Sequence, residues 1–279
     1  MKGDRKKEGE VVRVISRDKD IVIGIFQKNK NFGFVTPTHS FGRDIYIPAI
    51  RMKNAENNQL VVVRITFWGD NERKPEGEIV EILGNPYDTK NMIEALIIRE
   101  GMSESFPPEA MAEARSIPVE IGKKELEGRR DLRHLPIITI DGDDAKDLDD
   151  AVYVEKLKNG NYKLIVSIAD VSHYIPEGSA LDREAYKRGN SVYLVDRVLP
   201  MFPKEISNGI CSLNPNEDKL TFTCEMEIDQ RGKVVDSDTY KSVIKTVYRM
   251  TYNNVNKMIA GDEEALKTYA PIKDMVMDM

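Results

Sequence analysis

The chain has 279 residues, which is enough for about two domains. Hydrophobic residues make up 41% and charged residues 32%, so the composition excludes general disorder. No apolar run approaches the ~18 residues of a membrane-spanning helix, and no apolar segment typical of a secretory signal follows the basic start of the chain. The net charge of -6 argues against indiscriminate nucleic-acid binding.

Cysteines and charged residues narrow the class of protein further. Cys211 and Cys224 are too few for a disulfide framework or a four-ligand zinc site, so we expect a reduced, cytoplasmic protein with no membrane partner. Basic side chains are concentrated in 1–35, whereas Asp141–Asp150 holds six carboxylates and one lysine. This asymmetry suggests a surface that binds a polyanion together with a site that binds cations.

Residues 10–84, after a basic tail over 1–9, predict a small all-β unit. Short apolar or alternating runs at Val11–Ile15, Ile21–Phe26, Phe32–Thr36, Asp44–Ile47, Leu60–Phe67 and Gly77–Leu83 are separated by turn-forming residues. Five or six strands at this spacing are typical of a Greek-key barrel. Residues 85–130 predict a helical connector, with one helix from Asp88 or Thr89 to about Arg99 and another that begins at Pro107–Pro108.

Residues 131–279 predict strands again, mixed with helices. The expected strands are Ile137–Ile140, Ala151–Glu155 and Tyr162–Ala169, with a hairpin around Arg231-Gly232, and the expected helices are Leu181–Arg188 and Tyr252–Ile259. We expect His173 to be a hydrogen-bonded core histidine, and the alternative is a supporting role next to the metal ligands. The last residues are helix-like and end without a cap, so we expect the chain to end inside its second domain.

The most informative motif is the acidic loop, defined as Asp141–Asp150. Its six carboxylates repel one another, so their ionisation must be offset by water, salt or bound cations. One alternative is an ordinary solvated loop. The flanking apolar strands favour the other, a site for a hard metal ion such as Mg²⁺ or Mn²⁺ at the end of a sheet. Such a metal, beside a nucleic-acid surface, favours phosphodiester hydrolysis without a covalent nucleophile.

A second motif combines aromatic residues with a lysine. Phe32 and Phe34 alternate around a glycine, so both rings point to one face of a strand, with Lys30 upstream and Tyr46 available from a neighbouring strand. Such an aromatic platform stacks bases while lysines contact phosphates. The alternative is that the same rings form the core of the barrel.

These motifs resemble a known family. Lys30–Val35 with Asp44–Pro48 is similar to the two ribonucleoprotein motifs of cold-shock domains, which are five-stranded OB-type barrels. Ile138–Val152 resembles the signature of the ribonuclease II superfamily, in its ribonuclease R branch. Further matches follow in order at Ile168–Tyr174, Arg188–Leu194, Arg197–Met201 and Leu213–Pro215. The fold implied is α+β: an OB-type barrel, a helical connector and the N-terminal portion of an RNB catalytic domain.

The resemblance implies a hydrolytic, processive 3′-to-5′ exoribonuclease that needs Mg²⁺ and releases nucleoside 5′-monophosphates. The implied metal ligands are Asp141, Asp147, Asp149 and Asp150, of which Asp149 and Asp150 matter most for cleavage. The resemblance also implies that Tyr193 and Tyr252 contact RNA, whereas the residues alone leave core packing open for both tyrosines. The implied partners are single-stranded RNA 3′ ends, with structured RNA, the ribosome and the decay machinery as further candidates.

The chain also departs from the family pattern. The resemblance implies a helix-turn-helix segment and a first cold-shock domain before the barrel, and a longer catalytic domain with an S1 domain after it. We therefore expect a fragment without the arginine that stabilises the transition state. The alternative function is a non-catalytic cold-shock RNA-binding module whose acidic loop only orders cations.

Overall fold

The structure, a computed structural model, describes residues 12–17, 19–39, 41–70 and 72–279, so the basic tail predicted over 1–9 lies outside the described residues. The chain divides into two compact units, residues 1–103 and 104–279. In the part of the chain that the structure describes, no helix combines the length and the apolar character needed to cross a membrane.

The first unit is a closed five-stranded barrel. Its strands are β1 (Ile21–Lys28), β2 (Phe32–Pro37), β3 (Ile45–Pro48), β4 (Leu60–Phe67) and β5 (Glu76–Gly84), in the order β1-β2-β3-β5-β4. The predicted OB-type barrel is confirmed. The strand predicted at Val11–Ile15 is wrong for its described residues 12–15, which form no strand and expose their apolar side chains. Because β1 pairs with both β2 and β4, the barrel has no free edge to which a further strand could add.

Packing inside the barrel determines which face each aromatic residue takes. Phe26, Val35, Ile45 and Ile47 are fully buried in the barrel core. A Cβ atom added at Gly33 would lie 2.2 Å from Phe26 Cε2, so a glycine is required at this inward position. Because side chains alternate along a strand, the residues on either side of the glycine point outward.

The predicted connector 85–130 is divided between the two units. Helix α1 (Thr89–Glu100) begins as predicted, with the Asp88 side chain accepting a hydrogen bond from Lys90 N, and ends at Gly101, whose φ is 72°. This helix belongs to the first unit, where its apolar side packs against β1 and β4. Helices α2 (Pro108–Ser116) and α3 (Lys123–Leu126) belong to the second unit.

The second unit is built on a seven-stranded sheet in the order β14-β7-β8-β9-β12-β13-β6, with a separate two-stranded sheet β10-β11. The strands are β6 (Arg130–Asp131), β7 (Ile138–Asp141), β8 (Asp150–Lys156), β9 (Tyr162–Ala169), β10 (Val192–Tyr193), β11 (Val198–Leu199), β12 (Asp218–Ile228), β13 (Val234–Lys245) and β14 (Tyr248–Thr251). The helices are α4 (Val171–Tyr174), α5 (Ala180–Arg188), α6 (Tyr252–Ile259), α7 (Glu263–Thr268) and α8 (Lys273–Asp278).

One apolar core joins the sheet of the second unit to its helices. Ile138, Leu148 and Ile165 from the sheet region are buried with Leu181 of α5 and Val276 of α8. The predicted core position of the histidine at 173 is wrong. Its side chain is exposed on the short helix α4 and packs edge-on against the ring of the next residue, outside the core. The mixed α+β architecture is as the sequence predicts.

Candidate functional site

The acidic loop lies at the end of the large sheet. Asp141 is the last residue of β7 and Asp150 the first residue of β8, and these neighbouring strands pair in antiparallel fashion. Asp141 also lies opposite Thr251 of β14 in the parallel pairing on the other side. The sheet therefore determines where both ends of the loop are held.

A single apolar residue anchors the loop between its ends. The Leu148 side chain is only 1% exposed, its backbone N–H donates to Ser212 Oγ at 3.1 Å, and its carbonyl accepts from Leu213 N at 2.8 Å. Asp147 and Asp149 flank this buried residue, so their backbone positions are determined by the core even though both side chains face solvent at least partly.

A guanidinium from a distant strand holds the outer part of the loop. Arg249 Nη2 donates to the carbonyl oxygens of Gly142 at 3.3 Å, Asp143 at 2.9 Å and Ala145 at 2.7 Å. Asn253 Nδ2 adds a 2.6 Å hydrogen bond to Asp143 Oδ2. Neither residue was predicted from the sequence. The partners of Arg249 are backbone carbonyl groups, which leave no signal in a sequence, and Asn253 meets Asp143 from 110 residues away.

Two aspartates of the loop, Asp141 and Asp149, have a raised pKa. Burial raises the pKa of Asp141, and the charge of Asp150 raises it further, while Arg249 opposes the shift. Asp149 keeps part of its surface in contact with solvent, yet desolvation raises its pKa, as do the charges of Asp147, Asp150 and Asp141. The four aspartates named as metal ligands thus form one electrostatic group.

The donor set of this group fits a hard divalent cation. Among the described residues, Asp141 Oδ2 is a buried oxygen with no hydrogen-bond donor, and an unpaired buried acceptor is what a cation would satisfy. In the same part of the chain, no three His, Cys, Asp or Glu side chains form a group placed to hold one metal ion. The oxygen ligands are therefore in the same region, but they are not drawn together as a complete coordination sphere.

Both tyrosines predicted to contact RNA are on the surface. Tyr193 is 67% exposed, and its hydroxyl donates to Asp147 Oδ2 at 2.8 Å. That hydrogen bond, together with desolvation, raises the pKa of Tyr193 to about 12. Tyr252 is 61% exposed and begins α6 directly after Thr251, the partner of Asp141. Core packing, the alternative for each tyrosine, is excluded.

The predicted aromatic platform is present on the barrel. The ring centroids of Phe32, Phe34 and Tyr46 lie 5.5, 5.7 and 5.8 Å apart, and all three side chains are only half-buried and outside the barrel core. Lys30 is exposed in the turn before β2. The core position that the sequence left open for Phe32 and Phe34 is therefore excluded, and the three rings form one outward surface.

Family comparisons agree with this two-part arrangement. The RNB domain matches residues 129–278, more than half of the chain, and the cold-shock domain matches residues 34–107. The chain belongs to the RNB domain family. The resemblance to the ribonuclease II superfamily is thereby confirmed. The relatives most similar in sequence that are described next are named ribonuclease R, which confirms the ribonuclease R branch.

Ribonuclease R of Thermotoga maritima is 47% identical over 271 residues, which are 96% of this chain and 38% of that protein. Mycoplasma genitalium RNase R, in a structure with ribose methylated single-stranded RNA, gives a TM-score of 0.84 at 24% identity over 99% of this chain and 45% of that one. Yeast Ssd1, a pseudonuclease, gives a TM-score of 0.73 at 20% identity over 90% of this chain and 33% of that one. The chain thus spans about two fifths of the length of the Thermotoga relative.

Proposed function

We propose that the chain supplies the cold-shock domain and part of the catalytic domain of a hydrolytic, processive 3′-to-5′ exoribonuclease that releases nucleoside 5′-monophosphates during RNA degradation. The relatives named ribonuclease R support the reaction class. The observation that carries the proposal is the group of four aspartates at the end of the sheet, in which Asp141 and Asp149 have raised pKa values and Asp141 Oδ2 is buried without a donor.

In this proposal Asp141, Asp147, Asp149 and Asp150 hold Mg²⁺, with Mn²⁺ as the alternative ion. When bound, such a metal activates a water molecule and neutralises charge on the scissile phosphate. The protein's own contribution is to hold the four carboxylates in place despite their repulsion. Leu148 anchors the loop between Asp147 and Asp149 from the core. Arg249 holds backbone carbonyl groups of the outer part of the loop from the solvent side.

The RNA-binding part of the proposal rests on the aromatic platform. Rings that lie within 6 Å of one another on an exposed sheet surface offer stacking positions to successive bases. The partners proposed are single-stranded RNA 3′ ends, and structured RNA second. Replacing Phe32 and Phe34 together by alanine is expected to weaken RNA binding by about 1–3 kcal/mol for each lost stack. Unchanged affinity of the folded double variant would contradict this role. The cytoplasmic location and any association with ribosomes or decay machinery stay predictions.

The test compares Asp149→Asn with Asp144→Asn in the same loop. The parent enzyme of which this chain is a part, and this chain beside it, are incubated with 3′-labelled single-stranded RNA and Mg²⁺, and the release of labelled mononucleotide is measured beside RNA affinity. In the parent enzyme we expect Asp149→Asn to abolish release and leave affinity largely intact, because the substitution removes a metal charge and little contact surface. Asp144→Asn should retain release. Turnover by Asp149→Asn near the wild-type rate would contradict the metal assignment.

A second candidate function is an RNA-binding module without catalysis. Two observations favour it: among the described residues no three ligating side chains form a metal-holding group, and the pseudonuclease Ssd1 has a similar fold. The same experiment separates the two candidates. RNA binding by the wild-type chain without mononucleotide release, at any Mg²⁺ or Mn²⁺ concentration, would support the module.

A further inference from the structure

A cleft on the barrel contains aromatic and basic residues that neither the platform nor the acidic loop uses. It is lined by Arg17, Phe41, Arg43, Trp68 and Asp70, among others, and has a volume of about 550 Å³. We call it the Trp68 cleft. All of its lining residues belong to the first unit.

The aromatic residues of the cleft lie at the rim of the barrel core. The rings of Phe41 and Trp68 pack against the core while remaining half-exposed, with centroids 5.9 Å apart and planes tilted by 39°. The guanidinium of Arg17 lies over Trp68, 4.2 Å from the ring centroid. Planar rings beside a guanidinium are the surface that a nucleobase uses for stacking.

The charge of the cleft is positive. Arg43 Nη1 donates to the carbonyl oxygen of Asp70 at 3.2 Å, which leaves its charge without neutralisation by that partner. The Asp70 carboxylate accepts hydrogen bonds from the backbone N–H groups of Glu72 and Arg73 and forms an ion pair with the Arg73 side chain at 3.3 Å. The negative charge of Asp70 is therefore compensated within its own turn. Arg17 and Arg43 can then bind an anionic ligand in the cleft.

A neighbouring cleft links this site to the platform. It has a volume of about 460 Å³, shares Gly42 and Arg43 with the Trp68 cleft, and includes Lys74 in its lining. The Lys74 ammonium lies 4.8 Å from the centroid of the Phe34 ring, which belongs to the platform. The two adjoining clefts thus place Lys74 beside the platform and Arg43 beside Trp68. The Asp44 carboxylate, which accepts a hydrogen bond from Thr36 Oγ1 at 3.1 Å, also lines the linking cleft.

We infer that the Trp68 cleft is a second nucleotide-binding site, which holds the continuation of the single-stranded RNA that stacks on the platform. A base would stack against Phe41 and Trp68, and the backbone phosphates between the two sites would meet Lys74 and Arg43. The inference rests on the proposed function in one respect, namely that the ligand is single-stranded RNA. With the second site, the barrel would bind more nucleotides than the three rings of the platform can stack.

Trp68 is the only tryptophan in the chain, so tryptophan fluorescence reports directly on the cleft. The full chain, in EDTA to prevent cleavage, is titrated with fluorescently labelled oligouridylates of increasing length, up to the ~16 nucleotides that an OB fold can cover. Anisotropy of the label reports total binding, and Trp68 emission reports occupation of the cleft. We expect short oligomers to bind without changing Trp68 emission, and longer ones to change it.

Substitutions of single arginines test whether the positive charge of the cleft contributes to RNA binding. Arg43→Ala is expected to weaken binding of the long oligomers by about tenfold and to leave the short ones within about twofold, since one phosphate contact is lost. Arg64→Ala serves as the control, because this barrel arginine is already paired with Asp20 and Glu78. It should change neither affinity.

The outcomes separate this inference from the proposed function. The second site would be overturned if oligomers of every length bound, as shown by anisotropy, without changing Trp68 emission. It would also be overturned if Arg43→Ala weakened the binding of long and short oligomers equally. A length-dependent change in Trp68 emission of this chain, together with a parent enzyme that never releases mononucleotide, would support the second site and count against the exonuclease alone. Failure of any oligomer to bind would overturn both.

Discussion

The Tyr193 hydroxyl donates a 2.8 Å hydrogen bond to Asp147 Oδ2 and so joins the β10-β11 pair to the acidic loop. The family resemblance implies different roles for these two residues, RNA contact for Tyr193 and metal binding for Asp147. With its pKa raised to about 12, Tyr193 keeps its proton at neutral pH and remains a donor. The contact means that a residue at the proposed RNA surface also orients a proposed metal ligand.

Two substitutions at Tyr193 should separate these tasks. Tyr193→Phe keeps the ring and removes the hydrogen bond, so we expect unchanged RNA affinity and about a tenfold rise in the Mg²⁺ concentration that gives half-maximal cleavage, within the range typical of outer-shell partners. Tyr193→Ala should in addition weaken RNA binding. The measurements are cleavage against Mg²⁺ concentration and RNA binding in EDTA. Equal Mg²⁺ dependence of wild type and Tyr193→Phe would show that the hydroxyl has no positioning role.

Arg249 should determine the order of the acidic loop. Arg249→Met removes donors to three carbonyl oxygens, so we expect faster amide hydrogen exchange over 142–145 and weaker Mg²⁺ binding. Arg249→Lys should recover only part of the effect, because an ammonium lacks the planar fork of a guanidinium. Lys257→Met, an exposed change on α6, is the matched control. Exchange rates over 142–145 that are the same in Arg249→Met and the control would contradict this role.

A buried ion pair should contribute to the stability of the second unit. Arg129 Nη2 lies 2.6 Å from Asp170 Oδ2, and both side chains are less than 5% exposed. Burial alone would raise the pKa of Asp170, but the hydrogen bond and charge of Arg129, with Lys241, outweigh it, and the pKa lies below its ordinary value. Arg129→Met should therefore lower the free energy of unfolding by about 3–5 kcal/mol. The substitution leaves the buried carboxylate with only the half-exposed Lys241, 3.3 Å away, and removes the donors to the Thr221 and Ser242 carbonyl groups.

The adjacent Arg130 supplies the control for this prediction. Its ion pair with Asp238 is also 2.6 Å long, but both side chains are more than half exposed, so Arg130→Met should lower the free energy of unfolding far less than Arg129→Met does. Urea unfolding at neutral pH measures both variants. Since the pKa of Asp170 is lowered in the folded state, its contribution is complete above the unfolded pKa of ~3.9 and is lost as the pH falls through the folded value. Equal losses for the two variants would contradict the role of burial.

Asp149→Asn should stabilise the metal-free chain. The pKa of Asp149 in the folded state lies above the ordinary value of 3.8, so the charged form of this side chain opposes folding. The stability that the protonated form contributes is therefore lost as the pH rises through the folded-state pKa. In EDTA at neutral pH we expect Asp149→Asn to melt at a higher temperature than wild type, by roughly 2–4 °C for each kcal/mol recovered. Mg²⁺ should then raise the melting temperature of wild type more than that of the variant. A lower melting temperature for Asp149→Asn in EDTA would show that the negative charge of Asp149 does not destabilise the metal-free fold.

Local patterns in the sequence were enough for most elements of this fold. The Asp88 cap and Gly101 delimit α1, the alternation around Gly33 predicts an outward pair of rings, and the apolar runs on either side of the acidic loop predict β7 and β8. These features depend on residues close together in the chain, whose preferences act before any tertiary contact forms.

Other features depended on partners that are distant in sequence. The run at 12–15 has the composition of a strand but no edge to pair with, because β1 and β4 close the barrel. Arg249 reaches its three carbonyl groups across more than 100 residues, and Arg129 meets Asp170 from 41 residues away. The sequence by itself determined the strands, the helix caps and the acidic loop. Only the tertiary structure decided which side chains neutralise, orient and expose the loop and the platform, because burial and charge compensation are properties of neighbours in space.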